Sequence, residues 1–202
     1  MKNFTFLLLF TFCFATSYAQ LGIRAGLNLA NISGDTEDAG DALSSITGLQ
    51  FGLTYNLALS DKVSIRPGAL YSVKGYGLEV FDTEAKIKFN YLEIPVDIVF
   101  DVFDSEAFGI DVHAGPYLGY MLSAKGEANG MSEDIDFEDS DINRIDIGLN
   151  LGGTVNFSGV YVGLNYGLGL SNLNSGELED SVKNTNLSII AGYMFGGGSS
   201  DK

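Results

Sequence analysis

The stretch "HAGPYLGYML", residues 113–122, decides the fold. Ala114, Pro116, Leu118, Tyr120 and Leu122 occupy one parity of the chain, and His113, Gly115, Tyr117, Gly119 and Met121 the other. In an extended chain successive side chains point to opposite faces. One face here is an apolar wall, and the other is glycine with a few polar or aromatic groups. The architecture follows from which of them meets water.

The same alternation recurs eight times. Its apolar parity runs through Leu21–Leu29, Leu49–Leu59, Val63–Val73, Leu92–Phe100, Phe108–Leu122, Ile145–Val155, Val160–Leu170 and Leu187–Phe195. The 26 glycines are spread through these runs, and helix-favouring segments are nearly absent. Short links at 60–62, 101–107 and 157–159 alternate with longer polar ones at about 32–47, 77–87, 123–142 and 171–184. Strands of about ten residues, joined alternately by short turns and long loops, predict an all-β, eight-stranded antiparallel up-and-down transmembrane β-barrel.

The N-terminus supports export. Lys2, an apolar run from Phe4 to Ala15, and small residues at Ser17 and Ala19 have the form of a secretory signal peptide cut after Ala19. The run is shorter than the roughly 20 residues of a spanning helix. The expected organisation is a signal peptide over 1–19, a barrel over 20–195 and a tail over 196–202. Cys13 lies in the signal segment, so the mature chain has no thiol for a disulfide, a metal or nucleophilic catalysis. An exported chain of this pattern belongs in the outer membrane of a Gram-negative-type bacterium.

The composition of the two parities assigns the faces. A soluble barrel of the lipocalin type points its apolar face inward and covers its exterior with charge. Here the other parity is mainly Gly, Asn, Ser and Thr, which suits a narrow interior, so the apolar parity is expected to face lipid. Arg24, Arg66, Lys74 and Arg144 share the inner parity with Glu93, Asp97, Asp111 and Asp146. Ionised groups in a narrow lumen are costly unless paired, so these eight are expected to form a charge network that plugs the barrel. Glu93 with Arg66 is the favoured pair.

Several motifs resemble a known family. "GIRAGLNLANISGD" at 22–35, "NYLEIPVDIVF" at 90–100, "AGPYLGYML" at 114–122, "DIGLNLGGTV" at 146–155 and "YGLGLSNL" at 166–173 resemble the outer-membrane β-barrels labelled "porin family" or PorT-like. The resemblance covers the mature chain. It implies an eight-stranded barrel of the OmpA or OmpX type and little about activity. Such barrels commonly end on a C-terminal aromatic, whereas Phe195 here is followed by "GGGSSDK".

The acidic residues are concentrated: the four long loops hold 17 of the 26, within a net charge of −15. An acidic exterior disfavours nucleic acid. In "SEDIDFEDSDINRID", residues 132–146, Asp134, Asp136 and Glu138 form a calcium candidate. The EF-hand pattern fails, with Asp139 where glycine is required and Ile145 at the last ligand position. Alternation with Ile135 and Phe137 reads more simply as a solvated hairpin continuing strands five and six. His113 lacks an evident nucleophile, so no enzyme and no cofactor are expected. Tyr55, Tyr71, Tyr76, Tyr91, Tyr120, Tyr166 and Tyr193 are expected in the interfacial girdles. The expectation is a monomer in outer-membrane lipid whose acidic loops engage an extracellular or envelope protein. A narrow pore for small solutes is the alternative, and a soluble ligand-binding barrel the remoter one.

Overall fold

The computed structural model describes residues 19–34, 43–80, 83–128, 131–135, 142–174 and 181–196. The expected signal peptide, apart from Ala19, and the tail beyond Gly196 lie outside the described residues. The strands are β1 (Ala19–Gly34), β2 (Leu43–Ser44), β3 (Ile46–Ser60), β4 (Val63–Val80), β5 (Thr83–Asp104), β6 (Gly109–Ala128), β7 (Met131–Ile135), β8 (Ile145–Phe157), β9 (Val160–Gly169) and β10 (Val182–Met194). Short β2 continues the line of β3 against β4, and β7 forms a hairpin with β6. The other eight strands make the wall, each antiparallel to its neighbour in the chain.

Closure comes from β1 pairing with β10, in register from Gly22 opposite Met194 to Gly34 opposite Val182. A further bond from the Phe195 N–H to the Leu21 carbonyl, 2.7 Å, extends this seam by one residue. Closing the sheet leaves no unpaired edge in lipid, where each unsatisfied backbone group would cost several kcal/mol. At one end the links are tight. In the turn between β8 and β9, Ser158 and Gly159 adopt φ of 48° and 90°, the left-handed conformations that a two-residue hairpin needs.

Burial alternates along every wall strand, and the apolar parity is the exposed one. Leu164 is 55% exposed while its neighbour Asn165 is 4% exposed. Leu118 and Tyr120 point outward, and Tyr117 and Met121 are buried inside. This excludes the soluble-barrel alternative, because an exterior of Leu, Ile, Val and Phe requires lipid.

The strands are longer than their hydrophobic segments. β5 spans 22 residues and β6 spans 20, running through stretches that the sequence reading assigned to loops. Along β5 the polarity inverts near residue 91. Outward positions change from Lys86, Lys88 and Asn90 to Leu92, Ile94 and Val96, while inward ones change from Ile87, Phe89 and Tyr91 to Glu93 and Asp97. Beyond the membrane the exterior meets water, so the apolar side turns inward. A small core of Phe89, Tyr91, Met121, Ala124 and Leu173 forms there, with Ile32, Tyr76, Ile87, Ile135, Ile142 and Val182 packed against it.

Glycine on the inner parity makes room for rings. A Cβ at Gly148 would meet the Tyr117 ring at 2.5 Å, and one at Gly192 would run into the Tyr161 ring. Gly148 lies directly opposite Tyr117, and Gly192 opposite Tyr161, in the strand register. Large and absent side chains thus alternate around the lumen, which fills an eight-stranded interior without widening it.

Candidate functional site in the barrel lumen

The lumen has three polar levels under its apolar cap. Nearest the cap, the Lys74 ammonium of β4 lies 2.6 Å from Glu93 of β5 and 3.2 Å from Asp146 of β8. Tyr117 donates to both oxygens of Asp146, at 3.3 and 3.4 Å. Asn184 of β10 donates to Asp146 at 3.0 Å and to the Tyr91 hydroxyl at 3.1 Å. The ammonium also sits over the Tyr117 ring, 4.1 Å from its centroid. A cation between two carboxylates and an aromatic face is a compact cross-brace tying β4, β5, β6, β8 and β10 together.

A neutral amide and hydroxyl ladder comes next. Gln50 donates to Asn28 Oδ1 at 2.7 Å, Ser188 to the same oxygen at 3.0 Å, and Asn28 to Ser72 at 3.1 Å. These groups are buried, and the mutual bonds offset the cost of removing them from water.

At the level nearer the tight turns, Asp111 of β6 accepts from Thr154 at 2.6 Å and Asn156 at 2.7 Å, with the Arg66 guanidinium at 3.8 Å. His113 Nδ1 lies 3.8 Å from Asp111, and its Nε2 lies 3.1 Å from Asn165 Oδ1. Arg66 also donates to Asn56 at 3.2 Å and approaches the Tyr161 ring at 5.8 Å. Asp97 is buried near the Arg24 and Arg66 guanidiniums and the His113 ring.

Seven of the eight residues assigned to the charge network, Arg24, Arg66, Lys74, Glu93, Asp97, Asp111 and Asp146, point into the lumen. Two details differ. Glu93 pairs with Lys74 and not with Arg66, because Leu70 lies opposite Glu93 in the register whereas Arg66 lies opposite Asp97. Arg144 precedes β8 and does not enter the lumen. Its guanidinium donates to the Met121 carbonyl at 3.0 and 3.1 Å and stacks 4.8 Å from the Tyr120 centroid, on the outward side.

The tyrosines divide. Tyr120, Tyr166 and Tyr193 face outward. Tyr91 is completely buried in the lumen, and Tyr76 packs into the cap. The signal that could have separated them was the polarity inversion along β4 and β5. Of the calcium candidates, Asp134 is exposed in β7 and forms a 3.4 Å ion pair with Lys125 across the β6–β7 hairpin. Asp136 and Glu138 lie outside the described residues. Among the described residues no three His, Cys, Asp or Glu side chains are grouped as a metal site.

A closed eight-stranded barrel, apolar outside and polar within, defines the class: this is an outer-membrane β-barrel protein. The chain belongs to the family described as "Outer membrane protein beta-barrel domain", which matches residues 11–175. Among solved structures it is similar to Neisserial surface protein A, with 17% identity, 88% of this chain and 99% of that one covered, and a TM-score of 0.49. It is also similar to Ail, the attachment invasion locus protein of Yersinia pestis, with 17% identity, the same coverages and a TM-score of 0.44. The N-terminal barrel of Pseudomonas aeruginosa OprF matches at 9% identity over 85% of this chain and 97% of that one, with a TM-score of 0.38. No curated protein matches it in sequence.

Proposed function

We propose that this protein is a non-enzymatic, monomeric outer-membrane scaffold whose interior is a brace and whose outer end engages a partner. The observation that carries the reading is the Lys74–Glu93–Asp146 cross-brace beneath the Phe89, Tyr91, Met121 and Leu173 cap. Salt-bridged side chains fill the barrel at one level and apolar ones fill it above. With eight strands there is no spare width for a solute path. The acidic outer loops then supply the contact surface, fitted to a basic envelope or extracellular protein. The non-enzymatic reading rests on His113 making contact with Asp111 and Asn165 oxygens, a setting that holds the ring in the wall of the lumen. Export follows from a signal peptide over 1–19, which predicts a mature chain starting at Gln20, read by intact mass of the membrane-inserted protein.

The test is conductance. The mature chain, refolded and inserted into planar lipid bilayers, is expected to produce no unitary current steps. Regular steps from the wild-type barrel would overturn the brace reading and favour the narrow pore.

A further inference from the structure

The cations of this acidic chain are gathered, not scattered. Of its 11 lysines and arginines, Arg24, Arg66 and Lys74 point into the lumen, Lys62 is in the β3–β4 turn, and Lys2 and Lys202 belong to the two ends. Four of the remaining five, Lys86, Lys88, Lys125 and Arg144, share one outward face, where β5 and β6 leave the lipid band. The fifth, Lys183, is on β10.

The strand register orders this face by height. Leu92 and Tyr120, opposite each other, belong to the lipid band; above them come Asn90 with Ser123, then Lys88 with Lys125, then Lys86 with Glu127. Asn90 donates to Ser123 at 2.8 Å, and the Arg144 guanidinium lies over the Tyr120 ring. A cation therefore stands at the rung where the hydrocarbon ends. Lysines directly opposite each other on neighbouring strands repel, so Lys88 and Lys125 need an anion close by. The face supplies part of it. Glu127 takes the Lys88 ammonium on both oxygens, at 2.7 and 2.8 Å, and Asp134 of β7 lies 3.4 Å from Lys125 with its own side chain 80% exposed. Among the described side chains of this face, four cations thus meet two carboxylates, in a chain whose net charge is −15. Lysine and arginine at this depth lay their stems along an apolar wall and hold their charge among headgroups.

We infer that the outward face formed by Lys86, Lys88, Lys125 and Arg144 is a binding site for the phosphorylated headgroup of an outer-leaflet glycolipid. The lysines hold phosphate, the Asn90 and Ser123 rung lies level with sugar hydroxyls, and Leu92 and Tyr120 meet the acyl chains. Positive, neutral polar and apolar surface follow one another down the wall in the order in which such a lipid presents its parts. The site is on the side of the barrel, apart from the loops proposed to engage a protein. It depends only on the apolar parity facing lipid.

Native mass spectrometry of the mature barrel, released from micelles containing diphosphorylated lipid A, reads the bound lipid directly. One lipid A is expected to stay on the wild-type protein. Lipid A stripped of both phosphates, and phosphatidylglycerol at the same concentration, are expected to be retained at least about tenfold less, the loss due to two or more cation contacts. Equal retention of the stripped lipid would overturn the site, and equal retention of phosphatidylglycerol would overturn the glycolipid assignment. These comparisons need no variant. Changing Lys86, Lys88 and Lys125 together to Gln is expected to weaken lipid A retention about 100-fold, at about fivefold for each cation near an anionic surface. Lys62→Gln, at the opposite end of the barrel, is expected to leave it unchanged, with the heat-modifiable gel shift showing that both variants fold. Wild-type retention by the folded triple variant would also overturn the site.

Discussion

Lys74 holds two buried carboxylates at once, so its removal strands both. Lys74→Met is expected to destabilise the barrel by about 3–5 kcal/mol, because Glu93 and Asp146 would remain charged and unpaired. The triple change Lys74→Met, Glu93→Gln, Asp146→Asn should recover much of that loss. Urea unfolding in micelles, followed by the gel shift between folded and heated forms, measures both. A second prediction at this scale concerns space. Gly148→Ala puts a methyl into the Tyr117 ring, at 2.5 Å, and should cost about 1–3 kcal/mol. Gly126→Ala meets nothing within 4 Å and is the control, expected to unfold at the wild-type urea concentration. Ion pairs in water behave differently: breaking the exposed Lys125–Asp134 pair of the β6–β7 hairpin should change stability by less than about 1 kcal/mol.

For the elements, the lipid face sets the sensitivity. Leu164 lies midway along β9 and is 55% exposed. Leu164→Arg should cost about 2–4 kcal/mol, while Leu170→Arg, just past the outer end of that strand, should cost about 0–1 kcal/mol. Similar costs at the two positions in the same unfolding assay would contradict the outward assignment of β9. Element existence was legible in the sequence, since a period of two survives in every wall strand and the short turns mark their ends. Strand length was not. β5 runs from Thr83 to Asp104, but its apolar side changes at Tyr91, and a reading that follows one apolar parity stops there. The same reading misassigned Tyr76 and Tyr91 to the girdle. The charged lumen positions within the wall strands could be read because parity fixes them there, whereas Arg144, just before β8, escapes that rule. Their partners could not, because pairing depends on register and on contacts across the barrel, as with Lys74 of β4 and Asp146 of β8.

The whole molecule is an inside-out protein at membrane depth and an ordinary one above it. Its mature chain is expected to give a β-rich, heat-modifiable species in detergent and to aggregate in buffer alone. A monodisperse folded chain without detergent would reverse the orientation of every wall strand. The two walls also differ in height. β4, β5 and β6 continue outward, while β9 ends at Gly169, and among the described residues Glu127, Glu133 and Asp134 stand on the taller β6–β7 hairpin.

The seam between β1 and β10 has a consequence for timing. Gly22 waits for Met194, a partner from the far end of the chain, and the cost of bringing such distant segments together is met before any bond between them forms. Until then β1 and β9 each keep a bare edge, so no partial barrel is stable in lipid. Assembly is therefore all-or-none, committed by the last strand to arrive. A chain ending before Val182 should yield no heat-modifiable form at all, however intact its first seven wall strands.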